Sequence, residues 1–148
     1  MKTNFKKVHT AKDLTISAIL TAAGVGLFFA DTGLGILFIA CGLLMLLFFT
    51  TGYKKDGENV ILTKKTLNLG HSCRQSLADF LSGNSDELEI HPQGVNEGII
   101  QMEIYYNAKA HVAYAQVFDY SNYTYVPATD VTELRGAKAD KLINKIQQ

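Results

Sequence analysis

The chain has 148 residues, no net formal charge and 47% hydrophobic residues. That length suffices for one small domain beside a membrane hairpin, and a net charge of zero gives no overall field to attract nucleic acid. The averages conceal a division. Between Leu14 and Gly52 the only ionisable side chains are Asp31 and Cys41, whereas residues 53–148 carry ten Lys/Arg and twelve Asp/Glu.

Residues 2–12 are lysine-rich, with Lys2, Lys6, Lys7 and Lys12. The apolar run that follows resembles a signal peptide, but Phe28-Phe29-Ala30 lacks the small residue that cleavage requires two positions before the alanine. Residues 14–30 form an uncharged run of 17 and residues 34–51 a run of 18. A spanning helix needs about 20 apolar residues, with roughly 17 as the lower limit, so each run predicts a transmembrane helix. The intervening Asp31-Thr32-Gly33 leaves room only for a tight antiparallel turn, which holds the carboxylate at the membrane surface. Ile39-Ala40-Cys41 resembles a lipoprotein cleavage box, but the apolar Gly42–Leu47 stretch is no polar tether. Ala18, Ala22 and Gly26 form a small-residue stripe on the first span, with Ser17 and Thr21 beside it. Such a stripe lets a helix approach closely. Either the second span fills it or a second copy of the chain does.

Lys54, Lys55, Lys64 and Lys65 follow the second run, and the turn carries no lysine. The positive-inside rule then puts both termini in the cytoplasm of a bacterial inner membrane. The expected division is a transmembrane hairpin over 1–52 and a cytoplasmic α+β domain over 53–148. Residues 52–57 read as a short polar linker.

In the second part, residues 59–69 read as a strand. Ser72 with Gln75 has the form of a capping box, Cys73, Leu77, Phe80 and Leu81 follow at helical spacing, and Gly83 ends the helix. Residues 84–97 read as loop with a short strand at 88–91. Residues 99–106 alternate, with Ile100, Met102, Ile104 and Tyr106 on one side, and predict a strand. A turn at 107–109 leads to a partner strand over 111–120. Residues 123–126 and 131–134 read as short extended pieces. Residues 136–147 predict an amphipathic helix whose apolar face is Ala139, Leu142, Ile143 and Ile146. That helix packs on the sheet or lies against anionic lipid. The fold class is therefore a mainly antiparallel sheet with one internal and one C-terminal helix, tethered to a two-helix hairpin.

Little in the sequence carries chemistry. The two cysteines form no CxxC pair, and His9, His71, His91 and His111 have no metal-ligand spacing. Phosphate-binding and nucleophile-elbow motifs are absent. No catalytic, cofactor-binding or metal-binding residue is expected, nor any cofactor, and the chain reads as non-enzymatic. The unusual feature is tyrosine placement: six of the seven tyrosines lie at 105, 106, 114, 120, 123 and 125. Half-buried strands favour tyrosine, so these residues suit a sheet core. They also suit a recognition surface, because a rigid ring with a polar tip binds partners well. The candidate surface comprises Tyr114, Phe118, Tyr120, Tyr123 and Tyr125, with Asp119, Ser121 and Asn122 at its rim.

The hairpin, Lys64-Lys65-Thr66-Leu67, the Leu77–Gly83 segment Leu-Ala-Asp-Phe-Leu-Ser-Gly, and Ile104-Tyr105-Tyr106 with Ala115-Gln116-Val117-Phe118-Asp119-Tyr120 resemble small two-span proteins of the Bacteroidota, a family to which no activity attaches. The layout is also similar to membrane effectors of antiphage signalling systems, in which the soluble part senses a cyclic nucleotide. Two functions are thus expected. The first is a membrane-anchored interaction protein whose tyrosine-rich sheet binds a protein partner or itself. The alternative is a ligand-gated effector sensing a nucleotide-like small molecule. The expected partners are the lipid bilayer and a protein or a second copy, with no nucleic acid.

Overall fold

A computed structural model describes residues 5–91 and 98–147. The chain divides into two compact units, residues 5–61 and 62–147. The boundary thus falls nine residues beyond the one read from composition at 52/53.

In the first unit, β1 (Phe5–Val8) leads into α1 (Ala11–Phe28), α2 (Thr32–Phe48) and β2 (Gly52–Lys55). Residues 52–57 were expected as linker. Instead β2 pairs antiparallel with β1, Lys6 opposite Lys54 and Lys7 opposite Tyr53. The lysines before and after the two helices therefore stand side by side on a ribbon.

α1 begins with a capping box that the sequence reading overlooked. Extended Thr10 accepts from Asp13 N, and Asp13 accepts from Thr10 N at 2.8 Å. These bonds satisfy amides that a helix start leaves unpaired. Asp13 also accepts from Thr51 N at 3.0 Å and from Thr51 Oγ1 at 2.8 Å, so one buried carboxylate ties the start of α1 to the segment after α2. At the far end Asp31 caps α2, accepting from Gly33 N and Leu34 N. The turn is Phe29–Asp31, two residues earlier than expected, because Asp31 serves as a cap and Thr32 and Gly33 are already helical.

The helices approach through glycines. A Cβ on Gly24 would lie 2.6 Å from Ile39 N, one on Gly35 2.5 Å from Phe28 Cα, and one on Gly42 2.9 Å from Thr21 N. Ser17 Oγ donates to Gly42 O at 2.6 Å. The expectation that α2 fills the Ala18–Ala22–Gly26 stripe is corrected here. α2 packs on the neighbouring Ser17–Thr21–Gly24 row, where the closest approach is possible. Ala18, Ala22 and Gly26 face outward, and Gly26 has nothing within 4 Å of where a Cβ would stand. α1 is long and apolar enough to cross a membrane; α2, at 17 residues, is shorter.

The second unit is α+β. β3 (Ile61–Gly70) precedes α3 (Cys73–Ser82), followed by β4 (Ile99–Asn107), β5 (Val112–Ser121), β6 (Thr124–Pro127), β7 (Thr132–Arg135) and α4 (Ala137–Gln147). Every pairing among these strands is antiparallel. β4 lies between β3 and β5, and the other edge of β5 pairs with β6 at one end and β7 at the other. Ile100, Met102, Ile104, Ala113, Ala115 and Val117 face α3 and α4. The alanines leave room for the helices, and Ala139, Leu142, Ile143 and Ile146 of α4 are buried there, so α4 packs on the sheet. Burying one such aliphatic side chain contributes about 1.5–3 kcal/mol.

Two expectations in this unit are corrected. The Ser72 side chain makes no capping bond, and Gln75 donates instead to Asp79 one turn on. Residues 88–91 are not a strand: Cys73 Sγ accepts from His91 N, holding that segment against the first turn of α3. Gly83 does end α3, with a left-handed φ of 84°. Residues 92–97, read as loop, lie outside the described residues.

Candidate functional site

β5 has two faces. Ala113, Ala115 and Val117 line the helix-covered core. Alternation puts Tyr114, Gln116, Phe118 and Tyr120 on the other side, beside Tyr105, Glu103 and Gln101 of β4 and Lys64, Thr66 and Asn68 of β3. The shared parity of Tyr114, Phe118 and Tyr120 is therefore correct, but their shared exposure is not. Tyr114 is 1% exposed and Phe118 6%. Both belong to the interior and leave the candidate surface. β5 is flanked by strands on both edges at these positions, whereas beyond Asp119 only β6 still pairs with it.

This second face is polar at its centre. Lys64 Nζ donates to Glu103 at 2.7 Å and lies 5.4 Å from the centroid of the Tyr105 ring. Burial alone lowers the pKa of the Lys64 amine, but the bond to Glu103 and the charges of Tyr105 and Glu103 outweigh it, leaving the pKa above its ordinary value. Gln116 donates to Thr129 O at 2.9 Å, while its own Oε1 is buried without a partner among the described residues. An orphan acceptor of this kind costs about 1–3 kcal/mol.

The remaining tyrosines gather at the tip of the β5–β6 hairpin. Tyr120 is 50% exposed, and its ring lies 5.1 Å from that of Tyr125, tilted by 59°. Asn122 and Tyr123 form the two-residue turn with φ values of 49° and 61°. Two successive positive φ angles mark the mirror-image turn that suits a twisted hairpin, where Asn-Gly is the favoured pair. A tyrosine in the left-handed region costs roughly 1–2 kcal/mol relative to the right-handed one. Tyr123 is 95% exposed and contributes no burial in return. Of the rim residues, Asp119 is turned the other way and held by Arg74 of α3 at 3.0 Å.

Other polar groups serve structure. His111 Nδ1 lies 2.7 Å from Asp140 on the exposed side of α4. Cys73 is buried at the first turn of α3. Among the described residues no group of three His, Cys, Asp or Glu side chains is arranged to hold a metal ion. The first unit carries an apolar groove along Leu14, Ala18, Ala22, Leu43 and Leu46, and an open groove of about 350 Å³ beside the β1–β2 ribbon. No family model, curated protein or solved structure matches the chain significantly.

Proposed function

We propose that the chain is a membrane-anchored, non-enzymatic interaction protein of a bacterial inner membrane, and that the tip of its β5–β6 hairpin captures a protein partner. In this reading α1 and α2 cross the bilayer as one hairpin with both termini cytoplasmic. Helices of 18 and 17 residues measure about 27 and 26 Å, close to the roughly 30 Å of a hydrocarbon core. The pair is apolar all round. Ile19, Val25, Ile36, Leu37, Leu44 and Leu47 point outward, a surface that water does not tolerate and lipid does. The charges sit at the ends, with Lys12 and Asp13 at one and Asp31 at the other.

The observation that carries the recognition site is Tyr123, a fully presented ring held in a strained backbone turn beside the Tyr120–Tyr125 pair. Strain retained at an exposed aromatic indicates a use beyond folding. Large aromatic rings with polar tips are the side chains that anchor protein interfaces.

The test uses the full chain, expressed in a bacterial host and extracted in mild detergent. Tyr120→Ser with Tyr123→Ser should abolish a partner that co-purifies with wild type after cross-linking, while the thermal transition moves little. A partner retained at wild-type yield by the double variant rejects the tip as the site. Release of the chain from membranes by alkaline carbonate rejects the spanning hairpin.

A further inference from the structure

We infer that the groove beside the β1–β2 ribbon binds the headgroup of an anionic phospholipid, using Lys6 and Lys54 as its phosphate ligands. The inference rests on the spanning reading of α1 and α2.

The ribbon belongs to the same compact unit as the helix pair. Two residues separate β1 from α1, and three separate α2 from β2. Asp13 and Thr51 hold the two helix ends together at that level. If the helices span, the ribbon stands where they leave the hydrocarbon, so its lysines meet the headgroup layer. Register sets Lys6 directly opposite Lys54, on one face of the ribbon. The groove of about 350 Å³ on that face is lined by Lys6, Val8, Lys54, Lys55, Asp56 and Asn59, among others.

Two of the three groove lysines are ion-paired, Lys55 with Glu58 at 3.9 Å and Lys6 with Asp56, which leaves one positive charge in excess. Lys6 pairs with Asp56 at 2.9 Å with side chains 74% and 43% exposed, and Lys54 donates to Asn59 at 3.0 Å. Exposed ion pairs contribute little, so a phosphate oxygen can take over the Lys6 amine at small cost. Asp56 and Glu58 oppose Lys6, Lys54 and Lys55 in the groove, and exposed Lys7 and Lys12 add to the positive side. Asp13 keeps its negative charge, since its partners Thr10 and Thr51 are neutral donors, and offsets one of these lysines. The net positive charge favours a headgroup whose phosphate charge is uncompensated. It disfavours phosphatidylethanolamine, which brings its own ammonium. Each lysine near an anionic leaflet adds to such attraction.

The experiment is thermal unfolding of the full chain in neutral detergent, titrated with short-chain phosphatidylglycerol, short-chain phosphatidylethanolamine or free glycerol 3-phosphate. Phosphatidylglycerol should raise the transition temperature of wild type and of a Lys109→Gln/Lys145→Gln control. Lys6→Gln/Lys54→Gln should need at least tenfold more lipid for the same rise, and Lys6→Arg/Lys54→Arg should restore the response. An equal response in Lys6→Gln/Lys54→Gln, or equal stabilisation by phosphatidylethanolamine, overturns the proposal. So does a response to glycerol 3-phosphate alone, which would make the groove a site for a soluble phosphate. Carbonate extraction of the chain from membranes would instead reject the spanning reading, which separates the two failures.

Discussion

Tyr120 and Tyr125 face one another one rung before the β5–β6 turn, their ring centroids 5.1 Å apart. Their contact braces the two strands just below Asn122 and Tyr123, so the tip is a built platform. A pair of this kind contributes about 0.5–1.5 kcal/mol beyond its burial.

Stability and recognition should therefore separate at Tyr123. Tyr123→Gly relieves the left-handed strain and loses no packing, because the side chain is 95% exposed. The expected result is a gain of roughly 0.5–1 kcal/mol in unfolding free energy, part of the relieved strain being offset by the freer unfolded chain. Partner capture should fall at the same time. Denaturant melts paired with co-purification read both effects, and a less stable variant would refute the strain.

Tyr114 and Tyr120 share a face but not a role. Tyr114→Ala opens a cavity in the interior and should cost about 3–5 kcal/mol. Tyr120→Ala removes a half-exposed ring and should cost about 1 kcal/mol. Unfolding curves of the two variants in the full chain check the order, and a reversal would return Tyr114 to the surface.

The glycines of the helix pair should differ in the same way. At Gly35 an added methyl meets the Phe28 backbone at 2.5 Å, whereas at Gly26 it meets nothing within 4 Å. Gly35→Ala should lower the stability of the detergent-solubilised chain by about 1–3 kcal/mol, and Gly26→Ala should leave it unchanged. Equal losses would mean that the helices cross along the Ala18–Ala22–Gly26 row after all.

Alkaline pH should expose the Lys64–Glu103 pair. The folded Lys64 pKa is raised above the ordinary 10.5, so its contribution is complete below the unfolded value and disappears as pH rises through the folded one. Tyrosines titrate in the same range, so the informative quantity is the difference between wild type and Lys64→Gln. That difference should hold from neutral pH to about 10 and shrink above it. A difference that persists past pH 12 would assign the pair's effect to packing of the lysine stem.

The amphipathic period of α4, the alternation of β4 and the glycine stop of α3 were legible because each is a local pattern that one packed face enforces. The ribbon was not. Phe5-Lys6-Lys7-Val8 has no period-two signature, and its partner Gly52–Lys55 lies more than forty residues away, so only closure of the helix pair brings the two together. The tyrosine cluster was half legible for a related reason. Parity in a strand tells which side chains share a face, but exposure depends on how far the neighbouring strands extend. β4 ends its pairing at Asp119, so Tyr114 and Phe118 have a strand on each side whereas Tyr120 has β6 alone. The Thr10–Asp13 box was readable in principle and was missed because aspartate replaces the usual Glu or Gln at its last position.

The helix pair is fastened at both extremities. At one end are the β1–β2 rungs and the Asp13–Thr51 bonds, and at the other the three-residue Phe29–Asp31 turn. A slide of one helical turn, about 5.4 Å, would break the fastening at one end or the other. Piston-like relay between the helices is therefore closed to this hairpin. Any message it carries must travel as a tilt of the whole strut or as a change in how many struts stand together.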